Sequence, residues 1–398
     1  MQVGSIPFDH RARTRLVFGV DSVEQVGELA RELGSKKILL VTDPGIVAAG
    51  HADRVCGLLA SAGLKVTLFG KARENPTTRD VNDCLTAAKS AGIDTILGLG
   101  GGSSMDTAKG CNFLLTNGGR MQDYWGVGKA TKSMLPLIAI PTTAGTGSEC
   151  QSFALIADEK THQKMACGDS KAAARIAILD PALTKSQPPR VAACTGIDAI
   201  THAVETAVTR KRNALSLMYS HEAFKLTVSS FPNVMRHADD LEARGRMLLG
   251  AALAGTAIEN SMLGAAHSAA NPLTARYGVV HGQAVGIMLP LVVRFNSQDA
   301  VARQAYAELA SAPELACVSD GHAPAVEALI ARLESLLNLA NIPRSLADCG
   351  VKRSEIKTLA AEAAQQWTAG FNPRSINKKD FAELYEAAFE PRGNGDGS

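Results

Sequence analysis

The chain has 398 residues, more than one hydrophobic core usually supports, so two domains are the expectation. Hydrophobic residues at 46% and charged residues at 20% lie near globular averages, which excludes disorder for the bulk of the chain. Lys and Arg number 41 against 39 Asp and Glu, and a net charge of +2 is too small for the electrostatic footprint of a nucleic-acid binder.

The N-terminal MQVGSIPFDHRARTR has no apolar signal region, which makes the cytoplasm the expected compartment. From residue 14 to 181, β-branched runs bounded by turn residues alternate with amphipathic stretches. Strands are expected at 37–42, 65–69, 95–99, 137–141, 153–156 and 175–179, with helices such as 22–33 and 78–91, where Val81, Leu85 and Ala88 recur at helical spacing. This alternation predicts an α/β domain with a parallel, Rossmann-like sheet.

After LDPALTKSQPPR the alternation stops, and Pro188 and Pro189 mark a boundary between domains at 1–187 and 188–390. The second domain reads as all helical, with helices at 191–209, 221–229, 241–263, 300–310, 323–340 and 379–389. Its longest apolar stretch, 247–258, is bounded by Arg246 and Glu259 and is too short for a bilayer of about 30 Å, so no membrane partner is expected. The tail 391–398, PRGNGDGS, is expected to be disordered. The eight cysteines never occur as CxxC, and Cys150 and Cys167 are the nearest pair; they read as unpaired thiols.

Strand 95–99 runs into Gly100, Gly101, Gly102 and Ser103, followed by a helix start. Glycines permit close backbone approach, and free N–H groups at a helix N-terminus favour an anion such as a phosphate. Gly98, Gly100 and Ser103 form an imperfect dinucleotide fingerprint, and a purely steric role for the glycines stays open. The acid expected about 20 residues downstream is missing, since Asp123 lies in the turn-like GGRMQDYWG. Asp43, in VTDPG at a strand end, is the better partner for an adenosine ribose; its competing reading is a turn-initiating Asp before Pro44.

Asp198 and His202, at i and i+4, share a helix face and can chelate together. His267 and His281 lie fourteen residues apart, separated by a Pro/Gly-containing turn. Three imidazoles and a carboxylate suit a divalent iron or zinc ion. The competing readings are a surface ion pair and a core histidine, while His221, His237 and His322 stand in ordinary helix or loop contexts.

Taken together, GGGSSMDTAK, PTTAGTGSE, GIDAITHAVE, GAAHSAANPL…VVHG and FNPR resemble, in order from about residue 13 to 390, the iron-containing (group III) alcohol dehydrogenase family. The resemblance implies a dehydroquinate-synthase-like architecture: a dinucleotide-binding α/β domain, an all-helical domain and a cleft holding NAD(P) and a metal. It also implies a homodimer, with a strand near 14–18 in the contact. Carried over, the metal ligands are Asp198, His202, His267 and His281. Gly101, Gly102 and Ser103 hold the pyrophosphate, Asp106 lies near the nicotinamide ribose, Thr142, Thr143 and Ser148 line the adenine and phosphate side, and Lys164 reaches a cofactor ribose.

The chain departs from the family where a second histidine often follows the third ligand: it has Asn271. Thr274, Val280 and Ile258 replace a common Gly, Pro and aromatic. The resemblance places Phe153, Ile258, Asn271, Trp367 and Phe371 around the substrate, with Asp106 and Asn271 nearest the reacting groups. The expected activity is hydride transfer between a small primary alcohol, or its aldehyde, and NAD rather than NADP, with Fe2+ or alternatively Zn2+. Maleylacetate reductase, glycerol dehydrogenase-type chemistry and a dehydroquinate-synthase-like lyase are the alternatives.

Overall fold

Along the segment KILLV, Ile38 and Leu40 pack into one apolar cluster with Val26, Val55 and Leu59, whereas Leu39 and Val41 join a second with Cys84, Ala88 and Met105. Apolar side chains on both faces are what a central parallel strand needs. The computed structural model describes residues 6–161 and 163–390, so the tail 391–398 lies outside the described residues. The chain divides into two units, His10–Gln187 and one that joins residues 6–9 to the chain from Pro188 onward.

The first unit holds β1 (Arg15–Phe18), β2 (Lys37–Val41), β3 (Lys65–Phe69), β4 (Thr95–Gly100), β5 (Gly126–Val127), β6 (Leu137–Pro141), β7 (Phe153–Ala157), β8 (Lys164–Gly168) and β9 (Ile176–Leu179). Six of them form a wholly parallel sheet in the order β1-β9-β6-β4-β2-β3. Helices α1 (Val26–Glu32) and α3 (His51–Ser61) cover one face; α4 (Thr78–Ala91) and α5 (Gly102–Asn117) cover the other, and α2 (Pro44–Ala48) follows β2. The expected helix at 22–33 starts as a 3-10 turn, Ser22–Gln25, before α1 begins.

The expected strand at 153–156 forms as β7 but not in the main sheet. It pairs antiparallel with β8 in a small sheet ordered β5-β8-β7. The connection at 158–163 is far too short for the crossover that a parallel neighbour requires, so a hairpin results. Its partner β8, KMACG, has no β-branched residue to announce it.

The sheet order fixes where a ligand can sit. From β2 the chain moves outward to β3, then returns to β4 on the other side of β2 and continues to β6. The turn-round lies between β2 and β4, and the loops after β2, β4 and β6 emerge side by side at the carboxyl ends, where open α/β sheets bind ligands.

The second unit is helical: α6 (Pro189–Thr206), α7 (Ala214–Arg236), α8 (Leu241–Ser261), α9 (Ala265–Tyr277), α10 (His281–Asn296), α11 (Ala300–Ser311), α12 (His322–Leu339), α13 (Ile356–Gln365) and α14 (Lys378–Ala387). The Pro/Gly-containing turn expected between His267 and His281 is shorter than the sequence suggests: helix α9 runs through Pro272 to Tyr277, and His281 opens helix α10. Pro272 removes only its own N–H from the helix ladder, and the buried face of α9, with Ala265, Ala266, Ala269, Ala270 and Leu273, holds the helix together around that loss.

Gly282 explains how α10 reaches α6. A Cβ at this position would lie 2.0 Å from the Cys194 carbonyl oxygen and 2.6 Å from its carbonyl carbon, so the two helices touch backbone to side-chain-free backbone. That contact sits beside His281 and one turn before Asp198. Gly282→Ala must therefore push the helices apart; such overpacking typically costs about 1–3 kcal/mol. We expect a lowered unfolding midpoint in chemical denaturation together with weakened divalent-metal binding. Unchanged stability and metal binding would show that the helices do not meet so closely.

Candidate active site

Helix α6 is buried nearly throughout, from Ala192 to Thr206 with few breaks, and so carries Asp198 and His202 into the interior on one face. Asp198 Oδ1 lies 3.4 Å from His202 Nε2, 3.6 Å from His267 Nε2 and 3.8 Å from His281 Nε2. The rings of His202 and His267 stack at 4.8 Å, and those of His267 and His281 meet at 5.3 Å. The donor atoms of Asp198, His267 and His281 all lie within 4.8 Å of one another, close enough to share one ion, and His202 Nε2 stands beside the same carboxylate oxygen. Asp198 Oδ1 and His267 Nε2 are moreover buried without a hydrogen-bond partner, which is costly unless an ion fills the gap. The donor set and the stranded atoms together fit a divalent ion.

The charges around this point are strongly coupled. Burial alone would raise the pKa of Asp198, but His202, His267 and His281 pull it well below the usual carboxylate range. Burial likewise lowers that of His267, and Glu205 and Asp198 outweigh it, pushing the imidazole up to about 9. Glu205 closes the segment GIDAITHAVE. Its Oε2 lies 2.5 Å from His267 Nδ1, and its Oε1 accepts from the Ala266 N–H at 2.7 Å. One carboxylate thus sets the ring orientation of His267 and ties down the helix that carries it. The signal was available: Glu205 follows His202 by three residues and Asp198 by seven, on the same helix face.

Asn372, the Asn of FNPR, holds the same helix start. Its Oδ1 accepts from the Ala265 N–H at 3.3 Å and from Asn296 Nδ2 at 3.1 Å, while its Nδ2 donates to Asn296 Oδ1 at 2.7 Å. A side-chain pair far away in sequence therefore caps α9 where Gly264 offers no side chain of its own.

In the α/β unit, β4 turns into α5 through Gly100, whose φ of +140° favours glycine. A Cβ on Gly101 would come within 3.4 Å of Thr143, and one on Gly102 within 2.8 Å of Thr146, so the loop after β6 packs directly on the glycine turn. Thr142 donates its N–H to the Gly100 carbonyl at 3.0 Å. Asp43 takes up the turn-initiating role before Pro44. Its Oδ1 caps α2 through the N–H groups of Gly45 and Ile46 at 2.9 and 3.1 Å, and its Oδ2 accepts from Ser104 Oγ at 3.3 Å, beside the turn.

Beneath the turn lies a buried charged group that sequence reasoning left unassigned. Lys109, fully buried, donates to the Ser148 carbonyl at 2.6 Å, to Ser148 Oγ at 2.9 Å and to the Phe153 carbonyl at 3.0 Å. Ser148 Oγ in turn donates to Asp106 Oδ1 at 3.1 Å. Burial raises the pKa of Asp106, opposed by Lys109, Lys164 and the Ser148 hydroxyl. Lys164 itself opens β8 at the surface. Glu149 has a buried Oε1 without a hydrogen-bond partner, and its burial raises the carboxyl to about 7 against the pull of its own backbone N–H and of Lys109.

The residues expected around the substrate lie on several elements. Phe153 lies over Gly168 of the neighbouring strand, where a Cβ would meet its ring at 2.3 Å, and Ile258 is buried in α8. Asn271 follows His267 by one helical turn. Trp367 and Phe371 occupy a 3-10 turn, Trp367–Phe371, with their rings edge to face at 5.7 Å, and Lys211 Nζ sits 4.9 Å from the Phe371 centroid.

Glu149 generates a stability prediction. Its folded pKa is raised above the ordinary unfolded value near 4.3, so the wild type loses stability as pH climbs from about 4 through 7, and the loss is complete above that. Glu149→Gln removes this penalty and should be the more stable protein at pH 8, by on the order of 2–3 kcal/mol, with the advantage vanishing near pH 4. Denaturant melts at a series of pH values measure it. Parallel pH curves for the two proteins would contradict the burial of an ionisable Glu149.

Comparison with known proteins gives one consistent result. The model of "Iron-containing alcohol dehydrogenase" matches residues 13–181, and that of "Fe-containing alcohol dehydrogenase family, C-terminal" matches residues 192–389. The chain is 34% identical over 372 residues to an NAD-dependent methanol dehydrogenase of Bacillus methanolicus, covering 94% of this chain and 97% of the relative. It is 31% identical over 385 residues to a 1,3-propanediol dehydrogenase of Klebsiella pneumoniae, covering 96% and 99%. A crystal structure of 1,3-propanediol oxidoreductase superposes with a TM-score of 0.93 at 31% identity, over 96% of this chain and all of the other. With its motifs, fold and buried Asp/His cluster in agreement with these matches, the protein belongs to the iron-containing alcohol dehydrogenase family.

Proposed function

We propose that the protein is a metal- and NAD-dependent alcohol dehydrogenase and aldehyde reductase that moves a hydride between a small primary alcohol, or its aldehyde, and a nicotinamide. The observation that carries this reading is the cluster of Asp198, His267 and His281, whose donor atoms lie within 4.8 Å of one another, with His202 beside Asp198 and two buried atoms, Asp198 Oδ1 and His267 Nε2, that have no hydrogen-bond partner. These four residues would hold Fe2+, and Zn2+ suits the same donors nearly as well. Such an ion supplies Lewis acidity, lowering the pKa of an alcohol or polarising a carbonyl. NAD supplies the hydride acceptor, and NADH the donor.

The chain's own residues bind and orient. The α/β unit, 1–187, is the dinucleotide-binding domain on this reading, and the helical unit, 188–390, is the metal-binding one. Backbone N–H groups of Gly101, Gly102 and Ser103 at the start of α5 bind the pyrophosphate. Thr142 and Thr143 flank its phosphate side, and Asp106, held by Ser148, orients the nicotinamide ribose, with Lys164 reaching a ribose hydroxyl. Asp43 keeps α2 capped with Oδ1 and accepts a ribose hydroxyl with Oδ2. Asn271 hydrogen-bonds but cannot shuttle a proton at any ordinary pH, so protons leave through water or ribose hydroxyls. Ile258, Trp367 and Phe371 give the helical unit an apolar substrate wall suited to small primary alcohols.

A lyase acting on a phosphate-bearing substrate fits less well. Arg276, the cation between the third and fourth ligands, is paired with Glu362. The sheet's edge supports a homodimer: β1 pairs on one side only, with β9, and leaves Leu16, Phe18 and Val20 exposed, an edge that a second copy would cover. Among the described residues no helix is long and apolar enough to cross a membrane. The cytoplasm is the compartment that goes with this reading, with small molecules as partners and neither nucleic acid nor membrane.

Absorbance of NADH with ethanol, butanol, 1,2-propanediol, glycerol and maleylacetate tests the reaction and its range. Turnover of the short alcohols or their aldehydes is expected, and a dominant rate with maleylacetate or glycerol would overturn the substrate assignment. Because a carboxylate repels a 2′-phosphate, kcat/KM should favour NAD over NADP by at least about tenfold, and Asp43→Gly should narrow the ratio by a similar factor. An unchanged ratio in the variant would mean that Asp43 does not face the ribose.

A further inference from the structure

Asn271 is not a free-standing side chain. It follows the ligand His267 by four residues on α9, so the two share a helix face, and its Nδ2 donates to Gln366 Oε1 at 3.0 Å. Gln366 is the residue from which the Trp367–Phe371 turn begins. Two residues on, Thr368 Oγ1 and Ser268 Oγ meet at 2.7 Å, so α9 and this turn are clamped at two points, one at the residue after His267 and one a helical turn beyond His267. Both partners of the Asn271–Gln366 bond are half-buried amides. A primary amide has two N–H donors and one carbonyl acceptor. With one N–H spent on Gln366 Oε1, the orientation of the Asn271 amide is set, and its carbonyl oxygen stays available as an acceptor.

We infer that Gln366 is a positioning residue that acts on the substrate through Asn271, fixing that amide so that its oxygen accepts a hydrogen bond from a second hydroxyl of the substrate. The inference rests on the dehydrogenase reading above and deepens it. The pair gives the site a hydrogen-bonding wall that does not titrate, and it rewards substrates that carry a polar group besides the reacting oxygen. A site with a placed polar group discriminates against the analogue that lacks the partner far better than an apolar wall does. Without Gln366, Asn271 would rotate, and that reward would be lost while the reacting end of the substrate was unaffected.

The test is steady-state kinetics of the full-length, metal-loaded enzyme with 1,2-propanediol and 1-propanol, in wild type, Gln366→Leu, Gln366→Glu, Asn271→Leu and the double variant Asn271→Leu/Gln366→Leu. Gln366→Leu is expected to raise KM for the diol by about tenfold with kcat within about twofold, and to leave 1-propanol unchanged, the size expected for one lost hydrogen bond. Gln366→Glu, which still offers an acceptor to Asn271 Nδ2, should keep the wild-type KM. In the Asn271→Leu background, Gln366→Leu should add nothing. Should Gln366→Leu fold poorly, Gln366→Met serves in its place. An unchanged diol KM, an equal effect on both alcohols, or an undiminished effect without Asn271 overturns the inference and leaves the dehydrogenase reading standing. A wild type that turns over neither the alcohols nor their aldehydes overturns both.

Discussion

A single buried carboxylate, Asp198, sets the terms for the helical unit. It sits on α6 with three imidazoles around it and one oxygen without a hydrogen-bond partner, an arrangement that burial opposes and opposite charge must offset. The surrounding structure is organised to make that arrangement hold. Gly282 lets α10 lie on the backbone of α6 and so delivers His281; Gly196, where a Cβ would meet the Phe231 ring at 2.4 Å, lets α7 close on the other side. Glu205 and Asn372 fix the start of α9 and thereby His267. Four side chains from three helices converge because small residues permit the approach and buried acceptors fix the angles.

In the α/β unit, the glycine turn and the loop packed on it are held by a buried cation. Lys109 binds the loop after β6 through both the carbonyl and the hydroxyl of Ser148 and reaches β7 at the Phe153 carbonyl, so α5, that loop and the strand are joined at one nitrogen. The nearby carboxyls of Asp106 and Glu149 balance that charge, and Glu149 keeps a stranded oxygen at a stability penalty. Proteins hold such penalties most often at functional sites, and this one lies next to the loop that carries Thr142, Thr143 and Ser148.

Much of this was legible in the sequence, for reasons that can be named. Strands such as 37–41 and 137–141 are continuous apolar runs between turn residues, and helix 78–91 has Thr77 and Asp80 as a capping box with Gly92 at its end. Asp198 and His202 stood out because i and i+4 spacing is a local property. What stayed hidden was long-range. Strand 164–168 has no β-branched residue, and its place is set by hairpin closure with β7. Pro272 read as a break, yet the packing of α9 carries the helix through it and turns His281 into a helix opener. Lys109, Gln366 and Asn372 act across 39, 95 and 107 residues of sequence, and no local pattern marks such partners.

The central claim, that the Asp198 cluster is a metal site, is tested most directly by titrating metal-free protein with Co2+, whose visible spectrum reports coordination by nitrogen and oxygen donors. The account predicts one equivalent bound per chain, displaced by Fe2+ or Zn2+, and no such spectrum in a folded Asp198→Ala variant. Saturation of that variant with the same spectrum and stoichiometry as wild type would contradict it.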